Sequence, residues 1–262
     1  MPTLSHITVY PIKSLDGHDL SASAVLPNGA LAEDRRYALV DGWGKYINGK
    51  NCATIHGIRA TFSEDVQNVT LRCAGQQQSF AIAEEQERLA TWCGEVLGMK
   101  CRLIENATGG YPDDCDSPGP TLISTASLEA VASWYEGLDL AEARRRFRFN
   151  LEVADVPGFW EDRLVPEEQK VRRFRLGDVV WQGRGICRRC VVPTRDSDDG
   201  VVTASFARDF TRHREATLPS WSPEGRFDHF YRLGVNTRLD SDVTADPSRS
   251  VLCVGDAIEL IG

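Results

Sequence analysis

Residues 22–41 read ASAVLPNGALAEDRRYALVD, and this stretch decides the fold class. A short apolar run around Val25 leads into Pro27-Asn28-Gly29. Proline presets φ at the start of a turn, and Asn-Gly accepts the positive φ that closes one. A second run, Tyr37, Leu39 and Val40, then stops at Asp41-Gly42. Lys45-Tyr46-Ile47, followed by Asn48-Gly49, repeats the pattern. Strands punctuated by turns about every ten residues point to an antiparallel barrel or sandwich.

Working outward, residues 4–13 (LSHITVYPIK) alternate into a strand that ends at Pro11. Lys13 and Ser14 emerge from that turn and offer an anion one charge and one hydroxyl. Downstream, 62–72 and 78–82 read as two further strands. Residues 84–99 break the pattern. Leu89, Trp92, Cys93, Val96 and Leu97 recur at helical spacing, and Gly98 is placed to cap the helix. Cys93 falls on the apolar face and reads as core. Residues 105–120 are rich in Gly, Pro and Asp and read as a connecting loop. A helix capped by Ser124-Thr125 is expected to carry Leu128, Val131, Trp134, Tyr135 and Leu138. Strands are expected at 147–153, at 174–181 with a turn at Gly177-Asp178, and at 251–261 around Val254-Gly255-Asp256. The segment 208–226 reads as a loop or short helix. The sum is a mainly β chain with a few helices, of α+β class.

Composition narrows the function. The 262 residues carry 30 basic and 38 acidic side chains, a net charge of −8. Such a balance disfavours general nucleic-acid binding. The positive charge is clustered at Arg144-Arg145-Arg146, Arg172-Arg173 and Arg188-Arg189, which suits a small anionic ligand. No apolar run approaches the ~20 residues of a membrane span, and the N-terminus lacks signal-peptide character. A cytoplasmic protein with reduced thiols and no membrane contact is expected.

The chemistry concentrates in residues 183–200, GRGICRRCVVPTRDSDDG. Cys187 and Cys190 bracket two arginines, and fixed positive charge favours the thiolate, the form that attacks or binds metal. A structural zinc would need a second pair or two histidines at close spacing. The five histidines are scattered. Thioredoxin-like chemistry would need a βαβ context, whereas this pair follows a strand and precedes a Pro- and Asp-rich loop. A single thiolate on a soft or redox metal is the third option beside those two, and the arginines and Lys13 would then hold a cofactor phosphate.

In this order and spacing the chain resembles the two-domain MOSC proteins, a family that includes the mitochondrial amidoxime-reducing component. The resemblance rests on Tyr10-Pro11-Ile12-Lys13-Ser14, Asp34-Arg35-Arg36-Tyr37, Leu122-Ile123-Ser124-Thr125-Ala126-Ser127-Leu128, Phe147-Arg148-Phe149-Asn150, Glu161-Asp162, Cys187-Arg188-Arg189-Cys190 and Val254-Gly255-Asp256. It implies an N-terminal β-barrel domain, 1–115, packed on a MOSC β-barrel domain, 116–262, with a molybdenum cofactor (Mo-molybdopterin) between them. By motif position it implies Cys190 as the molybdenum ligand. It implies Arg189, Lys13, Ser14, Arg35, Arg148 and Asn150 as cofactor contacts, and Asp196 as a catalytic residue on the substrate side. Cys187 is given a supporting role.

The implied activity is reduction of N-hydroxylated or N-oxygenated small molecules. Some relatives carry a C-terminal iron–sulfur domain. This chain ends at Gly262 and shows no ferredoxin-like cysteine spacing, so electrons are expected from a separate ferredoxin- or flavin-reductase-type protein. The rival implication is a carrier of the cofactor or of sulfur without turnover. The chain departs from the family at Phe149, where Pro is usual, at Pro193-Thr194, where Thr-Thr is common, and at Lys50, where Arg is common. These departures leave the implied cofactor standing and weaken the transfer of substrate specificity from the family.

Overall fold

A computed structural model describes residues 1–166, 171–242 and 250–261. The chain opens with β1 (Thr3–Val9), β2 (His18–Leu20), β3 (Ala22–Ala24) and β4 (Tyr37–Val40). A meander follows, β5 (Arg59–Phe62), β6 (Asn68–Cys73) and β7 (Gln76–Ala81), then α1 (Gln86–Leu97) and β8 (Arg102–Glu105). The second half runs β9 (Leu122–Ser124), α2 (Thr125–Ala132), α3 (Leu140–Phe147), β10 (Leu151–Ala154), β11 (Arg172–Leu176) and β12 (Val179–Arg188). It closes with α4 (Phe206–Ala216), β13 (Arg232–Leu239), β14 (Val251–Cys253) and β15 (Ile258–Ile261). The mainly β, α+β expectation holds. Among the described residues no helix is long and apolar enough to cross a membrane.

Eight strands form one sheet in the order β15-β11-β12-β13-β9-β10-β1-β2. All its pairings are antiparallel except β9–β10, which are parallel and joined through α2 and α3. A parallel pair needs a crossover of this kind. The first strand of the chain thus lies in the sheet built by the second half, and β3 pairs with β14 near the C-terminus. The packing repeats this division. Leu4, Ile7, Val9, Val25 and Leu31 share a core with Phe174, Trp181 and Leu252. A separate core gathers Ile12, Leu39, Phe62, Phe80, Leu89 and Leu103. Residues 1–31 therefore staple the N-terminal unit onto its neighbour, and a cut at 115/116 divides the sequence but not the packing.

Several elements follow the sequence closely. Val25 and Leu31 bridge across the Pro27-Asn28-Gly29 turn, and Gly98 caps α1 in the left-handed conformation. The Ser124 side chain accepts from the Ser127 amide at the start of α2. Cys93 is fully buried in the N-terminal core.

Others differ. The expected strand 62–72 is two strands, β5 and β6, because the Asp65 carboxylate accepts from the Gln67 amide and Val66 takes a positive φ, closing a turn. The helix from Ser124 stops at Ala132. Trp134 and Tyr135 still pack on its core from the following turns. A separate helix, α3, starts at Asp139, whose carboxylate accepts from the Glu142 amide at 2.7 Å. That Asp-x-x-Glu spacing is an N-cap signal present in the sequence. The strand expected from Phe147 begins at Leu151 because Phe147 ends α3. The segment 208–226 contains most of α4.

Candidate active site

The two units meet over a cleft of about 590 Å³. Eleven lysine or arginine side chains and four aspartates line it, in a protein whose net charge is −8. Every residue expected to hold a cofactor lines this one cleft: Lys13, Ser14, Arg35, Arg148, Asn150, Arg189 and Cys190. They come from positions up to 177 apart in sequence and from both units.

Backbone geometry delivers them. Ser14, Arg35 and Arg148 all have positive φ, at 75°, 50° and 56°. Non-glycine residues there are strained, and such strain collects at functional sites. Arg148 terminates α3 in this conformation while its amide donates to the Arg144 carbonyl at 2.9 Å. Its guanidinium donates to the Leu15 carbonyl at 2.6 Å and lies 4.1 Å from the Tyr10 ring centroid. Arg35 lies 5.2 Å from the same ring and pairs with Asp34. Tyr10 is thus the shared base on which two cleft cations rest, and its hydroxyl donates to the Phe149 carbonyl at 3.1 Å. Burial pushes the Tyr10 pKa upward, so the ring stays neutral.

Asn150 knits the units together. Its Nδ2 donates to the Thr8 carbonyl at 3.0 Å, and its Oδ1 accepts from the Thr121 amide and hydroxyl, each at 3.1 Å. Arg35 reaches the same oxygen at 3.4 Å. Lys13 donates to the Asp113 carboxylate at 2.6 Å and to the Tyr111 carbonyl at 2.8 Å. Burial lowers the Lys13 pKa, and Asp113 opposes that shift. The Lys13 and Arg35 charges in turn hold Asp113 far below the usual carboxylate range despite its burial.

The end of β12 carries the sulfur. Register shifts between Gly183 and Gly185 and between Ile186 and Arg188 re-aim its last residues, as bulges do beside active sites. The two cysteines then part company. Cys187 is buried, its thiol directed to Asn236 Oδ1 at 2.8 Å, and burial pushes its pKa up to about 12. Cys190 is half-buried at the cleft wall, its carbonyl accepting from the Tyr231 hydroxyl at 3.2 Å. Arg189 sits between them, over the Phe147 and Phe149 rings at 5.5 and 4.9 Å, and donates to the Phe147 carbonyl.

Asp196 is the one expected site residue that does not line the cleft, although Arg195 and Ser197 on either side do. Its carboxylate accepts from Arg146 at 3.1 Å and from the Asp198 amide at 2.9 Å. Those bonds hold its pKa low. In this arrangement Asp196 braces the loop 196–200.

Two cleft residues escaped the sequence reading. His56 and Arg195 each present a buried nitrogen without a hydrogen-bond partner, His56 Nε2 and Arg195 Nε, and Arg189 Nε shares that state. Burial, with Arg148 and Arg195 nearby, lowers the His56 pKa. The ring fits against Gly49, where a Cβ would lie 2.7 Å from Nε2. Nothing in the sequence near His56 marks it, since its neighbours Gly49 and Gly200 come from two different loops.

The chain belongs to the MOSC family. The MOSC N-terminal beta barrel domain matches residues 1–102 and the MOSC domain matches residues 121–259. Among curated proteins it is similar to the molybdenum cofactor sulfurase of Drosophila melanogaster, 23% identical over 218 residues that cover 72% of this chain and 27% of that protein. The corresponding figures are 21% over 250 residues, 77% and 29%, for the Oryza sativa subsp. japonica protein of that name. They are 22% over 267 residues, 82% and 31%, for the Danio rerio one. The chain spans under a third of the length of these relatives.

Proposed function

We infer that the cleft binds a molybdenum cofactor and that the protein reduces N-hydroxylated or N-oxygenated small molecules with electrons from a separate redox protein. The observation that carries the reading is a strongly cationic cleft between two units with the Cys190 sulfur at its wall. The cleft also passes a test of fit. Buried polar atoms ordinarily find partners, yet Arg189 Nε, Arg195 Nε and His56 Nε2 have none and all belong to residues of this cleft. An anionic, phosphate-bearing ligand would satisfy such donors, with arginine forks suited to phosphate.

Lys13, Arg35, Arg148 and Arg189 would neutralise the cofactor's charge, Ser14 and Asn150 would orient it, and Cys190 would supply a protein thiolate. The cofactor, when bound, supplies two-electron oxygen-atom removal. Net reduction of an N–OH group takes up two electrons and two protons and releases water. The chain's part is positioning: the Tyr10 platform fixes two cations and Asn150 locks the unit interface.

A second reading is a carrier of the cofactor or of sulfur. The relatives favour it, because they are named molybdenum cofactor sulfurases and this chain matches less than a third of them. One experiment separates the two. The protein is expressed in a host that makes the cofactor, its molybdenum is measured, and reduction of a hydroxylamine or amidoxime is assayed with an artificial donor. Turnover that disappears with molybdenum in Cys190→Ser supports the reductase. Tightly held metal without turnover supports the cofactor carrier, and a folded protein without molybdenum sinks both cofactor readings and leaves the sulfur carrier, which a persulfide on Cys190 in the purified protein would support.

A further inference from the structure

We propose that Tyr231 is a positioning residue for the Cys190 sulfur, holding the chain on both sides of it. The inference rests on the reading of Cys190 as the thiolate offered to a cofactor, and it adds a residue that no motif marks. Cys190 stands where the sheet has released the chain. The last cross-strand pair of β12 with β13 is Arg188 with Arg232, after a register shift between Ile186 and Arg188. Past that pair, the two soft dihedrals of Arg189 and the two of Cys190 decide where the thiol points. Tyr231 closes both ends of this stretch. Its carbonyl accepts from the Arg189 amide at 3.1 Å, and its hydroxyl donates to the Cys190 carbonyl at 3.2 Å. The first bond fixes the peptide plane entering the two residues, and the second fixes the plane leaving them.

Tyr231 is itself held. Its ring meets Phe210 of α4 edge-on, with centroids 5.2 Å apart and planes at 86°, an arrangement that aromatic pairs favour. Phe210 is fully buried, and Tyr231 packs on the same core. Burial pushes the Tyr231 pKa upward, so the hydroxyl keeps its proton and remains a donor. On the far side of Cys190, the Val191 carbonyl accepts from the Thr194 amide at 3.0 Å and from the Thr194 hydroxyl at 2.6 Å. Cys190 is therefore clamped between Tyr231 and the turn at 192–194. Cys190 and Arg189 line the cleft and Tyr231 does not, so Tyr231 acts through their backbone rather than on a bound ligand.

Tyr231→Phe removes the hydroxyl and keeps the ring against Phe210. The test is alkylation of the full chain, made in a host without the cofactor, by iodoacetamide at about pH 8, followed cysteine by cysteine by peptide mass spectrometry. The Cys190 rate is expected to rise about fivefold in the variant, the factor by which losing one ordinary hydrogen bond raises local opening. The exposed Cys115 and Cys253 serve as references and should keep their rates. The buried Cys187 and Cys93 should stay unlabelled, which reports an intact fold. A Cys190 rate unchanged against the two references overturns the proposal. So does labelling of Cys187 and Cys93 in step with Cys190, because the hydroxyl would then support the fold at large and not the position of one sulfur. No cofactor enters this measurement. Its outcome therefore stands apart from the cofactor reading, which falls if wild type from a competent host carries no molybdenum.

Discussion

The Arg148 guanidinium rests 4.1 Å from the centroid of the Tyr10 ring, while Arg35 occupies the same ring at 5.2 Å. Two cations of the cleft therefore share one aromatic support. Removing the hydroxyl alone costs a bond to the Phe149 carbonyl, so Tyr10→Phe is expected to lose about 1 kcal/mol of stability and keep molybdenum. Removing the ring also leaves a cavity under both arginines. Tyr10→Ala is expected to lose about 3–5 kcal/mol and to release the cofactor. Urea unfolding and metal content measured on both variants check this. Equal metal retention in the two would show that the ring does not position the arginines.

Gly234 lies beneath the same apparatus. Its φ is +69°, and a Cβ there would sit 2.1 Å from Phe149 Cε1. Phe149 carries Arg189 on its face at 4.9 Å. Gly234→Ala is expected to cost about 2–5 kcal/mol, from left-handed strain plus overpacking, and to tilt Arg189 as Phe149 yields. Thermal denaturation, with metal content of the surviving folded fraction, measures both effects. A variant as stable as wild type contradicts the packing described.

These dependencies explain what could be read from sequence. Turn residues such as Pro27-Asn28-Gly29 and Gly98 act locally, and their elements appear where the sequence places them. The Asp139 cap is equally local, so the start of α3 was legible in the Asp-x-x-Glu spacing. The pairing of β1 with β10 is different, since no local feature of residues 3–9 names a partner about 150 residues away. The cofactor contacts were named through family resemblance, and folding gathers them in one cleft. His56 and Arg195 have no motif, because their significance is a missing partner, visible only in three dimensions. Asp196 shows the converse. The family resemblance gives it a role on the substrate side, and the structure adds what no motif showed, that its carboxylate accepts from Arg146 and from the Asp198 amide of its own loop.

The two cysteines of residues 187–190 should differ in reactivity by virtue of burial alone. The thiol of Cys187 is pushed up to about 12 and shielded, as is that of Cys93. Iodoacetamide at about pH 8 is expected to modify Cys190, together with the exposed Cys115 and Cys253, and to spare Cys187 and Cys93. Peptide mass spectrometry over a time course gives the rates. Bound cofactor should protect Cys190 while leaving Cys115 and Cys253 reactive. Labelling of Cys187 as fast as Cys190 would contradict the asymmetry on which the ligand assignment depends.

Glu161 should make the fold itself sensitive to pH. It is fully buried, accepts from the Ser124 amide and the Ser127 hydroxyl, and has one oxygen without a partner. Burial first, and the neighbouring Asp162 second, push its pKa up to about 7 from an ordinary 4.5, against the pull of those hydrogen bonds. In that window the folded chain keeps a proton that the unfolded chain has released. The Glu161 contribution to stability therefore falls as pH rises from about 4.5 to about 7 and stays reduced above it. The total effect is on the order of 3 kcal/mol. Glu161→Gln stays neutral at every pH and keeps the acceptor oxygen. It is expected to flatten this slope and to exceed wild type in stability at about pH 8, while matching it near pH 4.5. Denaturant midpoints across that range, compared at equal m-values, decide the matter. Parallel curves for the two proteins would mean that Glu161 is ionised in the folded state and that another group balances its charge.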